Sequence, residues 1–83
     1  MLFTKLQSEL LVSSLDVESS MAYVSAIREI ADAEQSGDFA FNRKAYEDLA
    51  SAIAKMAKEI DGDFAVAYSD VAERVQAHAL SLS

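Results

Sequence analysis

His78 is the only imidazole in the chain, and cysteine is absent. A histidine suits general acid–base work near neutral pH, given a nucleophile to activate or a substrate to protonate. Here there is no thiol to activate, and one imidazole cannot hold zinc by itself. Asp70 and Arg74 precede His78 by eight and four residues, one above another on a helix. The Arg74 guanidinium would oppose protonation of the ring rather than assist catalysis. The expectation is a packing histidine near a helix C-terminus, where a partial positive charge is favoured.

Carboxylates gather in two places, Asp32, Glu34 and Asp38, then Glu59, Asp61 and Asp63. Oxygen-rich clusters can bind calcium, but the EF-hand loop needs alternating acids with Gly at its sixth position. In Asp61-Gly62-Asp63 the Gly is second, and Phe64-Ala65-Val66 supplies no side-chain oxygen. These acids read instead as helix caps and as favourable charge at helix N-termini. A docking surface for basic residues is the competing reading. Paired carboxylates for glycoside hydrolysis need a cleft, and 83 residues leave little room for one. Both glycines sit at corners, so no Gly-rich phosphate loop exists, and Ser13, Ser14, Ser19 and Ser20 have no His or Lys in a motif. No enzymatic activity, cofactor or metal is expected.

Those corners organise the chain. Gly37-Asp38-Phe39-Ala40 returns 25 residues later as Gly62-Asp63-Phe64-Ala65, with Glu34 and Glu59 three residues before each Gly. Gly past a helix end supplies the left-handed residue that closes the last turn. The Asp that follows would cap the next helix, and the Phe after it would open that helix by burying a ring. The similarity stops there, since Asn42-Arg43-Lys44 aligns with Ala67-Tyr68-Ser69. It is punctuation used twice rather than a solenoid repeat.

The spacing predicts four segments. The first runs from Phe3 to about Leu15, with Leu2, Phe3, Leu6 and Leu10 on one face and Thr4-x-x-Gln7 fitting a capping box. Strand is the alternative for Leu10–Val12, and Ser13-Ser14 with Asp16 suggests a break. Asp16 can cap a second helix to about Ser36, whose apolar stripe is Val17, Met21, Val24, Ile27 and Ala31, widened by Tyr23 and Ile30. This helix is expected at the centre. Tyr46, Leu49, Ile53, Met56 and Ile60 form a 3-4-3-4 seam on a third helix, from Asp38 or Asn42 to about Asp61. Phe64, Tyr68, Val71, Val75, His78 and Leu82 form the complementary seam on a fourth. The fold class is therefore all-α: three or four helices, with an antiparallel α-hairpin (about 38–61 and 63–80) packed on the N-terminal helices as a single domain, 1–83.

The totals constrain partners. Fourteen acids against seven bases give a net charge of −7, which argues against nucleic acid or an anionic membrane, since phosphates are met by Lys and Arg. The longest apolar runs fall well short of the roughly 20 residues a membrane span needs. Met1-Leu2-Phe3-Thr4-Lys5-Leu6 lacks the order of a signal peptide, so a cytoplasmic location is expected. A domain this small buries only about 60% of its unfolded surface, and oligomerisation is a usual supplement. Five base–acid pairs at helical spacing (Arg28–Asp32, Arg43–Glu47, Lys44–Asp48, Lys55–Glu59 and Asp70–Arg74) read as a solvated face.

Three functions fit. The first is a non-enzymatic interaction module that self-associates as a homodimer and acts by binding and modulating another protein. Its apolar contacts would be the off-seam residues Leu11, Leu15, Tyr23, Ile30 and Phe41. The second is an acidic decoy that occupies a basic nucleic-acid-binding groove on its target through Asp32, Glu34, Asp38, Glu47, Asp48, Glu59, Asp61 and Asp63. In size, charge and lack of a catalytic set the chain resembles, in type, the small inhibitors that phages encode, including anti-CRISPR and anti-restriction proteins. The third is a carrier of a hydrophobic ligand between helices, lined by Met21, Met56, Tyr46 and Tyr68.

Overall fold

The computed structural model describes residues 1–11 and 16–82, without the side chain of Leu11. Four helices occur in order: α1 (Leu2–Leu11), α2 (Val17–Glu34), α3 (Arg43–Lys58) and α4 (Gly62–Leu80). Leu10 and Leu11 are helical, which settles that part of the strand alternative, whereas Val12, the suggested break at Ser13-Ser14, and Leu15 lie outside the described residues. α3 and α4 make the largest helix contact and form the expected antiparallel α-hairpin. α2 lies against α4 and α1 and touches α3 more lightly, so it joins α1 to the hairpin, whereas α4 carries the most extensive packing.

The stripe that α2 turns inward differs from the expected one. Ala22, Ala26, Ile27, Ile30 and Ala31 are buried, whereas Val17, Met21 and Val24 face outward. Alanines at positions 22 and 26 present only a methyl group each, so a neighbouring helix can approach closely. Ile27, Ile30, Ile53, Val71 and Val75 are the largest fully buried side chains, each contributing about 1.5–3 kcal/mol relative to exposure. On α3 the seam behaves as read: Tyr46 and Ile53 are buried, with Leu49, Met56 and Ile60 packed against the core. On α4, Tyr68, Val71 and Val75 are buried, but Phe64 and Leu82 at the ends of the seam are exposed.

The corners correct several local expectations. Gly37 and Gly62 have φ of 89° and 68°, the left-handed conformation that glycine adopts without strain. Both lie beyond the cap residues Gln35 and Glu59, so neither closes the final helical turn: Gly37 turns the α2–α3 connection, and Gly62 is the first residue of α4. Asp38 does not cap α3. Asn42 does, its side chain accepting from the Ala45 amide at 2.9 Å. Asp63 lies inside α4, and Asp61 at the cap position makes no side-chain capping bond. Neither Phe opens a helix by burial, because Phe39 sits in the connection and Phe64 is exposed. Asp16 does cap α2, accepting from the Ser19 amide at 2.7 Å. Thr4 is inside α1, so the capping box is not formed.

The cap of α1 comes from another helix. The Leu2 and Phe3 amides donate to Oε2 and Oε1 of Glu34, each at 3.0 Å. The Tyr46 hydroxyl donates to Glu34 Oε2 at 2.5 Å. A helix N-terminus has amides without intrahelical acceptors and a partial positive charge. A carboxylate from the last turn of α2 answers both, although it is only 5% exposed. This assigns Glu34 to the interior and removes it from the acidic surface expected from the sequence.

Candidate functional site

Among the described residues no group of three or more His, Asp or Glu side chains is placed to hold a metal ion. No helix among them is long and apolar enough to cross a membrane. His78 is half-buried, its ring edge-on to Tyr46 with centroids 4.7 Å apart. Arg74 is directed elsewhere: Nε donates to Asp70 Oδ1 at 2.9 Å, and Nη1 lies 3.9 Å from Glu9 Oε2. The Tyr23 hydroxyl donates to the other oxygen of Asp70 at 2.5 Å. Tyr23, Asp70, Arg74 and Glu9 thus link α2, α4 and α1 in one polar chain. Ser25 Oγ and the Tyr68 hydroxyl share a further bond at 2.7 Å.

Both bridging tyrosines are held neutral. Burial, then the bond to Asp70 and its charge, push Tyr23 up to about 12, with Arg74 pulling the other way. Burial, then the bond to Glu34 and its charge, raise Tyr46 well above the ordinary tyrosine value. The unfolded chain ionises its tyrosines near 10. Above that pH the unfolded state releases protons that the folded state keeps, so stability falls as pH rises from about 10 toward 12. Urea midpoints measured across this window should drop for the native chain, and Tyr23→Phe should flatten part of the slope.

The expected partner-contact residues separate. Ile30 is 0% exposed and belongs to the core of its own chain, so it offers nothing to a partner. Tyr23 is half-buried with its hydroxyl engaged by Asp70, and serves the fold. Leu15 and the side chain of Leu11 lie outside the described residues. Phe41 does reach the surface at 46% exposure. Of the acids, Asp32, Asp38, Asp48, Glu59, Asp61 and Asp63 are exposed. Arg43 approaches Glu47 at 3.3 Å and Lys44 approaches Asp48 at 3.4 Å. Among the described residues the pairs Arg28–Asp32 and Lys55–Glu59 do not form within ion-pair distance. The expected ligand lining is also dispersed: Met21 faces solvent, and the Tyr46 and Tyr68 hydroxyls are engaged by Glu34 and Ser25.

Two surface features stand out among the described residues. One is the outward stripe of α2: Val17 is 75% exposed, Met21 60% and Val24 43%. Their 4-3 spacing keeps them on one face, and Arg28, exposed, continues it one turn on. The spacing of Val17, Met21 and Val24 points to the core, but Ala22 and Ala26 take that place because their small side chains allow a closer helix approach. The other feature is an open groove of about 510 Å³ between the end of α2 and the start of α3, with Ala33, Phe39, Ala40, Ala45 and Leu49 as its apolar lining. Asp38, Lys44 and Asp48 stand among its polar residues. Phe39 is edge-on to both Phe41 and Tyr46, with centroids 4.9 Å apart in each pair.

Phe41 has φ of 55°, the one non-glycine residue with positive φ among those described. For a residue with a Cβ that conformation costs about 1–2 kcal/mol. Phe41→Gly should therefore be more stable than Phe41→Ala by about 1 kcal/mol, since both lose the ring and only Ala keeps the strain. Paired denaturation curves of the two variants measure the difference.

Comparison with protein-family models, with curated proteins and with solved structures finds no match for this chain.

Proposed function

We propose that the chain is a non-enzymatic protein–protein interaction module that associates with a second copy of itself and acts by binding another protein. The observation that carries this reading is the stripe of Val17, Met21 and Val24, a regularly spaced apolar face that the fold leaves outside. Heptad-like faces bury themselves against similar faces. A two-fold dimer places the same patch from each copy in contact, so one stripe satisfies both partners. A small domain also gains from such burial, because its own core is limited.

Light scattering and sedimentation across a range of concentrations test this. The expected result is a dimer that Met21→Glu converts toward monomer, raising the dissociation constant by about tenfold or more, with helicity by circular dichroism unchanged. A strict monomer at every concentration overturns the self-association.

A second reading is favoured by the α3–α4 corner, where Glu59, Asp61 and Asp63 are exposed with no ion-paired base among the described residues. Such a corner suits an acidic decoy against a basic protein surface. Binding would then weaken steeply with salt, because exposed charges are screened within about 10 Å at 0.1 M. Charge reversal at Asp61 and Asp63 would weaken it further.

A further inference from the structure

We propose that the groove between α2 and α3 seats a basic amphipathic helix of a partner protein, which lays one large apolar side chain over Phe39 and Leu49 and brings a Lys or Arg to Asp38. This rests on the interaction-module reading above but uses a surface separate from the α2 stripe.

The first support is shape. α2 and α3 touch only lightly, and residues 35–42 join them. Ala33 from α2 and Ala45 from α3 project no bulk into the gap, leaving about 510 Å³ open above Phe39 and Leu49. The gap is an open groove rather than an enclosed cavity, so it can receive a side chain laid across its surface. A helix that presents one apolar face to a hydrophobic groove is a recurring recognition mode.

The second is the backbone at Phe41. Its φ of 55° is one that Gly or Asn adopts readily, so the turn alone does not call for an aromatic residue. The ring nevertheless stands half-exposed beside Phe39, the groove's aromatic wall. Strain of this kind persists where surroundings hold it, and it gathers at functional sites. Aromatic residues are also prominent among the side chains that dominate binding energy.

The third is charge. Asp38 is exposed at the groove and accepts from Ser36 Oγ at 2.7 Å, with no ion-paired base among the described residues. Asp48 pairs with Lys44 at 3.4 Å, largely in solvent, a pairing worth little. An incoming cation therefore finds an available carboxylate. An acidic segment would meet a chain of net charge −7. Electrostatic complementarity of this sort sets specificity and encounter rate.

The test uses the full chain, ¹⁵N-labelled and carrying Met21→Glu so that self-association does not contribute. The probe is a synthetic amphipathic helix of Leu and Lys, titrated by NMR. The expected result is saturable shifts centred on Ala33, Phe39, Ala45 and Leu49. Ala45→Trp, which fills the groove, and Asp38→Lys, which reverses its charge, should each weaken binding by about tenfold or more. Asp38 is exposed, so its replacement leaves a readable result even if the tryptophan disturbs folding. Shifts spread over the acidic corner at residues 59–63, or binding indifferent to both substitutions, would overturn the proposal. So would equal binding by a Leu and Glu helix of the same pattern. None of those results bears on the dimer, which is read separately from the mass of the native chain.

Discussion

Glu34→Ala should destabilise the chain by about 3 kcal/mol, the net of three lost acceptor contacts. The carboxylate accepts from the Leu2 and Phe3 amides and from the Tyr46 hydroxyl. Removing it leaves those donors in a largely buried place, and each unsatisfied group costs about 1–3 kcal/mol. The sum is reduced because Phe3 is only half-buried and Met1 is exposed, so water can reach part of the site. A domain of this size has a total stability of roughly 4–12 kcal/mol, which makes the loss a large fraction. At about 4–8 °C per kcal/mol, the melting temperature should fall by about 12–24 °C. Tyr46→Phe removes one donor and leaves the carboxylate with both amides, so it should cost only about 1–2 kcal/mol. Glu34→Gln should fall between them, since its NH₂ group turns a donor toward other donors. Amide exchange locates the damage: protection should fall first in α1, ahead of the α3–α4 hairpin. A Glu34→Ala chain within about 0.5 kcal/mol of native would show that the carboxylate does not hold α1.

Ile30→Ala carries the second large effect, a loss of about 2–4 kcal/mol. Ile30 is 0% exposed in the shared core. Truncation removes its transfer free energy and leaves a cavity that close-packed neighbours fill only in part. Met21→Ala, nine residues earlier on the same helix but facing solvent, should change monomer stability by no more than about 0.5 kcal/mol. Chemical denaturation in the dilute monomer range compares the two. Equal costs would mean that α2 is rotated from the orientation described above.

How far the sequence was legible follows from what each position depends on. The α3–α4 hairpin was readable because its seams are made of large apolar residues at regular spacing. Tyr46, Ile53, Tyr68, Val71 and Val75 are all buried as that spacing requires. The Asp16 cap was readable because its contact is three residues away. The rotation of α2 was not, since Ala22 and Ala26 are small and the larger Met21 and Val24 drew the stripe outward. Glu34 was read as a surface acid because its donors lie 31 and 32 residues back in the chain. Ile30 widens the α2 stripe and also counts among the off-seam candidates, and periodicity does not choose between the two, because whether such a residue is covered depends on helices it does not place. Phe41 alone of the proposed apolar contacts stands at the surface among the described side chains, and its left-handed backbone has no sequence signal.

The tie between Glu34 and the opening turn of α1 makes the first eleven residues inseparable from position 34. A shortened version of this protein lacking α1 would leave Glu34 with Tyr46 alone of its three donors and would open its carboxylate to water where α1 had covered it. A scaffold reduced to α2–α4 therefore calls for a redesigned residue 34 together with a new cover for the surface that α1 leaves open.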